Sequence, residues 1–324
     1  MPRIAEYFRD CVFYMYDSVE DAKEGKKAGG CGFFVSLASE KHGMQGWAYR
    51  YAITCLHNID KGCLTIRVNT ERGGSEEIVT RREDWEDSEE NDIAAYAIDL
   101  DDTKHVSQSI FHRFPAELLA KYPRIPMFIT REIITNEGLG MGDDVFLIGR
   151  LIDHSGTQRN TPSARFGHIS MMPFEPIRNL HLRRSVDAFF CEIKSIGGFS
   201  GSPVFVHIPP LSERPRSKTL SNAKGPWLLG IDWGHTQKPE YVVDDHGDKT
   251  PEEHRVQRDS GIACVAPAWE IAKLLDCKRF RKQRIEDDKK LGQGGPSPAA
   301  SDLAAMILSV SMNLICANLP ARQD

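Results

Sequence analysis

Along most of the chain, apolar residues come in short runs separated by clusters of Gly, Pro, Asn and Asp. Runs of that length, bounded by turn-forming residues, predict β-strands rather than helices. Segments 11–16 (CVFYMY), 32–37 (GFFVSL), 48–55 (AYRYAITC), 64–68 and 93–98 read as strands of a first unit. Segments 127–135, 144–149 (DVFLIG), 165–171, 187–193, 203–208, 227–232 and 261–265 read as strands of a second. Between them, 109–124 holds Pro115 followed by AELLAKY, which predicts a helical turn or two bridging the halves. The reading is all-β, a barrel or sandwich architecture of two stacked units. A cleft between two such units is a natural place for chemistry.

After the last strand, Pro267 opens a helix, a position where its missing N–H costs nothing. Trp269, Ala272, Leu275 and Phe280 fall near one helical stripe that can pack on the second unit. From 278 to 290 the sequence is mostly charged, the pattern of a solvated helix end, and 291–300 (LGQGGPSPAA) is a linker. The division that follows is 1–108 for the first unit, 109–126 for the connector, 127–278 for the second unit, and 279–324 for the charged helix end, linker and a short apolar helix. That last helix, over 303–317, is broken by Ser309, Ser311 and Asn313. It predicts a tail that docks on the body or on a partner, not a membrane span.

Composition narrows the class. The chain has 324 residues, 41 basic against 46 acidic, for a net charge of −5. A general nucleic-acid binder carries a basic excess, so that class is set aside. Charges break the N-terminal segment too early for a secretory signal, so a cytoplasmic protein with reduced thiols is expected. Eight cysteines contain no Cys-x-x-Cys pair, and the spacing of Cys55, His57 and Cys63 fits no closed zinc site. The cysteine spacings therefore indicate neither a redox motif nor a zinc ribbon.

Three patterns carry candidate chemistry. Ile53-Thr54-Cys55-Leu56-His57-Asn58 presents an imidazole at the end of a buried-looking strand, facing a cleft. Asp92-Ile93-Ala94-Ala95 starts an apolar strand with a carboxylate of the kind that fixes the tautomer of a histidine. Gly197-Gly198-Phe199-Ser200-Gly201-Ser202-Pro203-Val204 places a hydroxyl in a glycine-rich turn. A serine needs an adjacent base to act as a nucleophile, and backbone N–H groups of such a turn can stabilise an oxyanion. Gly198 permits the backbone conformation that turns its N–H the same way as that of Ser200. A strand, not a helix, follows the serine, which speaks against the nucleophile elbow of α/β-hydrolases.

Together these segments resemble the chymotrypsin-fold (trypsin-like) serine proteases over roughly residues 10 to 290. Leu229-Gly230-Ile231-Asp232-Trp233-Gly234 is similar to the family's strand lining the substrate channel. Gly261-Ile262-Ala263-Cys264-Val265-Ala266-Pro267 is similar to the last strand leading into the C-terminal helix. The resemblance implies two six-stranded antiparallel β-barrels with a C-terminal helix and tail. It implies a serine endopeptidase with Ser200 as nucleophile, His57 as base and Asp92 as its orienting carboxylate. The N–H groups of Gly198 and Ser200 would form the oxyanion hole, a peptide or protein would be the substrate, and no metal or organic cofactor would be required. Lys194, Trp233, Gly234, His235 and Gly261 are candidates for the substrate pocket, Lys194 favouring an acidic side chain. The alternative is a catalytically silent domain of the same fold acting as a binding or scaffold module.

The sequence departs from the family in several places. Phe199 stands where secreted digestive members have an Asp that pairs with a new N-terminus, and the usual Ile-Val-Gly-Gly start is absent. Activation by such cleavage is therefore not expected, as in the intracellular, HtrA-like and bacterial branches. Asn58 removes the disulfide beside the histidine, although Cys31 and Cys55 can lie close to one another. Asp232 occupies a place where the family usually has a small hydroxyl residue, making it a second candidate for orienting His57. The polar segment 236–259, with Asp244, Asp245, His246 and Asp248, reads as a surface loop near the cleft.

Overall fold

The computed structural model describes residues 4, 6–42, 48–70, 73–98, 110–113, 127–151, 154–179, 184–194, 198–209, 224–242 and 255–292. Within the first half, helix α1 (Glu6–Asp10) precedes β1 (Val12–Tyr16), and α2 (Val19–Glu24) leads to β2 (Gly30–Ala38). Strand β3 (Ala48–Cys55) runs directly into α3 (Leu56–Asp60). Then come β4 (Thr65–Asn69), β5 (Ser75–Val79), β6 (Trp85–Ser88) and β7 (Ile93–Ala97).

Strand β2 lies between β1 and β3, β3 pairs β7, β7 pairs β6, β1 pairs β4, and β4 pairs β5, all antiparallel. Strands β5 and β6 are two arms of one bent strand joined through a 3-10 turn, Arg82–Asp84. Counted so, six strands form a ring. Alternation along each strand divides it between two cores. Phe13, Met15, Phe34, Ala52 and Ala94 point into this barrel with Ile66, Val68 and Trp85. Val12, Tyr14, Phe33, Val35, Tyr51 and Ile53 point into the larger core shared with the second half. Strand β2 is therefore buried on both faces along its whole length.

The second half holds β8 (Ile110–Arg113), β9 (Met127–Phe128), α4 (Arg131–Glu137), β10 (Asp144–Arg150) and β11 (Pro162–Met171). It continues with β12 (Ile177–Asn179), β13 (Arg184–Val186), β14 (Phe189–Glu192), β15 (Ser202–Ile208), β16 (Lys224–Tyr241) and β17 (Arg255–Pro267). Strands β10, β11, β14, β17, β16 and β15 pair in that order, and β15 returns to β10. This second ring is antiparallel and closed. In both rings the first strand neighbours the second and the fourth, and the third neighbours the sixth. The chain thus forms two six-stranded antiparallel barrels, a chymotrypsin-like architecture. Short parallel pairings, β2 with β8 and β9 with β16, join them.

Several elements differ from the sequence expectation. Only Met127–Phe128 of the 127–135 segment is strand. Thr130 then caps α4 by accepting the Ile133 N–H, and Gly138 ends it in a left-handed conformation. The acidic stretch before Asn91 contains a strand, β6, because Trp85 is buried and its indole donates to Thr80. Segment 236–259 is not simply a loop. Strands β16 and β17 continue past the barrel as a paired arm to Tyr241 and from Arg255. The acidic residues 244–248 lie outside the described residues, as do most of the 109–126 connector and the 303–317 helix.

At the C-terminal end, α5 (Ala268–Leu275) buries Ala268, Ile271, Leu274 and Leu275, while Trp269 and Ala272 are only half-buried. A separate helix, α6 (Lys278–Gly292), is more than a solvated end. Its Phe280 is buried against Tyr51, Arg284 donates to the Tyr51 hydroxyl, and Asp288 accepts from Ser39 and Tyr49 on the first barrel. No described helix is long and apolar enough to cross a membrane.

Candidate active site

Strand β3 ends at Cys55 and the chain turns at once into α3, so His57 stands in the first turn of a helix at the rim of the first barrel. The first N–H groups of a helix have no partner within it. That of His57 donates to Asp92 Oδ1 at 2.9 Å. The other carboxylate oxygen of Asp92 lies 2.6 Å from His57 Nδ1. One carboxylate therefore holds both the main chain and the ring of His57. A carboxylate can only accept, so the proton of this bond sits on Nδ1, and in a neutral imidazole Nε2 is then the acceptor.

Asp92 is placed with matching care. Its φ of 54° is left-handed, a conformation Asp and Asn tolerate better than most residues. Its carbonyl accepts from Leu56 N–H at 3.0 Å, tying the start of β7 to the start of α3. The neighbouring Asn91 donates to Glu270 Oε2 on α5 at 3.2 Å. The helix after the second barrel thus braces the loop that carries Asp92.

The serine lies in a tight turn between β14 and β15. Ser202 N–H donates back to the Phe199 carbonyl at 2.9 Å, and Gly198 and Gly201 both have φ of +92°. A side chain at Gly201 would put its Cβ 1.9 Å from the Cys31 carbonyl oxygen, so only glycine fits. The Ser200 carbonyl accepts from Cys31 N–H at 2.9 Å and from Asn58 Nδ2 at 3.1 Å. Gly201 N–H donates to the Asp232 carbonyl at 2.8 Å. The turn is thereby fastened to β2, α3 and β16. Asn58 follows His57 directly, so the residue pinning the serine turn belongs to the helical turn that presents the imidazole. Among the described residues, neither the Gly198 nor the Ser200 N–H has an acceptor.

The sequence marks Asn58 only as the residue that takes the place of a cysteine. Its Nδ2 donates to the Ser200 carbonyl and to Thr54 Oγ1, tying the serine turn to α3 and to the end of β3. Asp232 is fully buried, but the carboxylate that touches the His57 ring is that of Asp92. Asp232 instead offers its main-chain carbonyl to Gly201 and to Cys55 Sγ, and its Oδ1 to Gly234 N–H at 3.2 Å. Phe199 is buried beneath the guanidinium of Arg165, which lies 4.9 Å over its ring.

Of the pocket candidates, Trp233, Gly234 and His235 lie half-buried on β16, and Gly261 lies on β17 with φ of +77°. Lys194 is exposed, just beyond β14. Residues 195–197, between Lys194 and the turn, lie outside the described residues.

The described cysteines are free thiols, Cys31 and Cys55 included. Burial pushes the Cys31 thiol up to about 11 and that of Cys264 up to about 12. Burial also raises Cys55, with the charges of Asp92 and Asp232 adding to it. Cys55, His57 and Asp92 each offer a ligand atom within 4.8 Å of the others. They do not fit a resident metal. The thiol is held protonated and donates to the Asp232 carbonyl, while Nδ1 is taken by Asp92.

No protein-family model and no curated protein matches the chain. Among solved structures it is similar to the active form of the Rv3671c protease from M. tuberculosis, with 14% identity and a TM-score of 0.42, covering 83% of this chain and 80% of that one. An inactive form of Rv3671c from M. tuberculosis H37Rv gives 13% identity and 0.41, covering 83% and 86%. A Sesbania mosaic virus structure, described for coupled folding and binding of the VPg protein, gives 11% and 0.39, covering 84% and 92%. All three scores are below 0.5. The fold therefore rests on the strand pairing, and the chemistry on the side chains.

Proposed function

We propose that the chain is a serine endopeptidase whose nucleophile is Ser200, base His57 and orienting carboxylate Asp92. The observation that carries this is the double hold of Asp92 on His57, main chain and Nδ1 together, beside a serine turn fastened through Asn58. With Nδ1 protonated, His57 Nε2 takes the Ser200 proton as Oγ attacks the peptide carbonyl. The imidazolium so formed faces the Asp92 carboxylate, and its proton then passes to the leaving amine. Water repeats the sequence on the acyl-enzyme, releasing the acid and restoring the serine. The unpaired N–H groups of Gly198 and Ser200 support a role as oxyanion donors.

Phe199 supports a site that needs no new N-terminus, because the residue before the nucleophile is fixed by packing rather than by an ion pair. The test is covalent labelling with a fluorophosphonate probe. Wild type is labelled, Ser200→Ala is not, and peptide-library cleavage is lost with the label. A wild type that folds but takes up no probe makes the domain a silent binding module instead.

A further inference from the structure

Two arginines flank the residues immediately before Ser200. Arg150 ends β10, and its main-chain N–H donates to Cys31 Sγ at 3.2 Å. Its guanidinium packs against Gly198. A Cβ built at Gly198 would be 2.3 Å from Nη2, 3.0 Å from Cζ and 3.2 Å from Nε of Arg150. Arg165, on β11, covers the Phe199 ring. The Nε atoms of both arginines are buried without a hydrogen-bond partner. Among the described residues, no carboxylate forms an ion pair with either. The Tyr14 hydroxyl is also buried and unpartnered. Burial pushes that phenol up, and the charges of Arg150 and Arg67 pull it back.

This arrangement is costly in isolation. A half-buried cation without a counter-ion loses hydration, and no described carboxylate returns it here. Elsewhere the chain satisfies its buried arginine. Arg67, fully buried, gives two bonds of 2.7 Å to the Gly156 and Thr157 carbonyls and one of 3.0 Å to Ser75. The chain is also acidic overall, so cations gathered at the serine turn run against its net charge. The planar fork of a guanidinium matches a carboxylate, which it binds through two parallel bonds. A glycine at 198 is what lets that fork reach the turn.

We propose that Arg150 is the specificity-determining residue of this cleft and that it selects peptides bearing an Asp or Glu side chain within two residues of the scissile bond. The proposal rests on the proteolytic reading for its substrate class, and Arg165 reinforces the local positive field. Exposed Lys194 has the same sign but stands just beyond β14, with its side chain open to solvent. Selection therefore follows the half-buried guanidinium.

The test separates recognition from catalysis. Peptide arrays that differ only in Asp against Asn or Glu against Gln are bound to Ser200→Ala protein, and the best pairs are titrated by fluorescence anisotropy. Acidic peptides are expected to bind at least tenfold more tightly than their amides. Arg150→Gln in the same background abolishes that ratio, and Arg150→Lys restores part of it. Arg150→Glu reverses it toward Lys- and Arg-bearing peptides, which keeps the test decisive if one variant is unstable. Equal binding of acid and amide, no peptide bound at all, or a preference that follows Lys194→Gln instead overturns the proposal. Fluorophosphonate labelling of the wild type is read separately. Label without acid preference sinks the specificity and leaves the protease. Acid preference without label sinks the protease and leaves the anion site.

Discussion

Replacing Asp92 by Asn isolates the electrostatic part of the site, because the backbone can accept it. Asn is among the few residues at ease with the left-handed φ of 54° found there. The amide can still accept from His57 N–H through its oxygen. Its NH2 group then faces Nδ1, so the ring must present a lone pair there and carry its proton on Nε2, where a base needs the lone pair. The variant also removes the charge facing the imidazolium. The side chains of His57 and Asp92 are 30% and 10% exposed, so an effective dielectric constant of about 20 suits the pair. At that dielectric, unit charges about 4 Å apart interact by roughly 4 kcal/mol. At about 1.4 kcal/mol per factor of ten, the loss is on the order of a thousandfold in rate, and the wrong tautomer deepens it. The assay is the second-order rate of fluorophosphonate labelling at neutral pH, with circular dichroism and thermal melting to show the fold intact. A folded Asp92→Asn protein that labels within about threefold of wild type would refute the reasoning, since a change that small is only about 0.6 kcal/mol.

Arg67→Lys breaks the clamp between β4 and the 155–160 loop, which also holds Asn69 against Asn160. A loss of roughly 3 kcal/mol, from bonds worth about 1.5–3 kcal/mol each when charged, should lower Tm by roughly 4 °C in a melting scan. In native protein at pH 8, iodoacetamide should modify half-buried Cys277 while Cys31, Cys55 and Cys264 stay protected until denaturant is added, as mass spectrometry of the digest would show. Burial holds the His207 pKa below its ordinary value against the opposing pull of Asp144. The unfolded chain therefore binds this proton more readily, and the stability present above about pH 6.5 is lost as pH falls toward the lowered value. His207→Leu should flatten that part of the Tm-against-pH curve, and an unchanged slope would assign the acid sensitivity to other groups.

Much of the fold can be read along the chain because strand alternation is a local property. Segments 11–16, 32–37, 48–55, 144–149 and 203–208 declare themselves as buried strands, and they are. The sequence misleads where local chemistry and burial compete. At 130–138, a capping threonine and a terminal glycine turn an apolar stretch into helix. At 85–88, one buried tryptophan turns an acidic stretch into strand. In α5, the buried face falls on Ala268, Ile271 and Leu274 because the second barrel's surface, not helical periodicity alone, chooses the orientation.

The same division runs through the site. The sequence by itself determines that a histidine follows one strand, that an aspartate precedes another, and that a serine sits in a glycine-rich turn. These are constraints of backbone conformation and of residue type. Only the tertiary structure decides that Asp92 grips both the N–H and the ring of His57, and that Asn58 ties the serine turn to the helix carrying that histidine. It alone packs the Arg150 guanidinium against Gly198. Hydrogen bonds and desolvation depend on distances of a few ångströms between atoms remote in sequence, and those distances exist only once both barrels have closed.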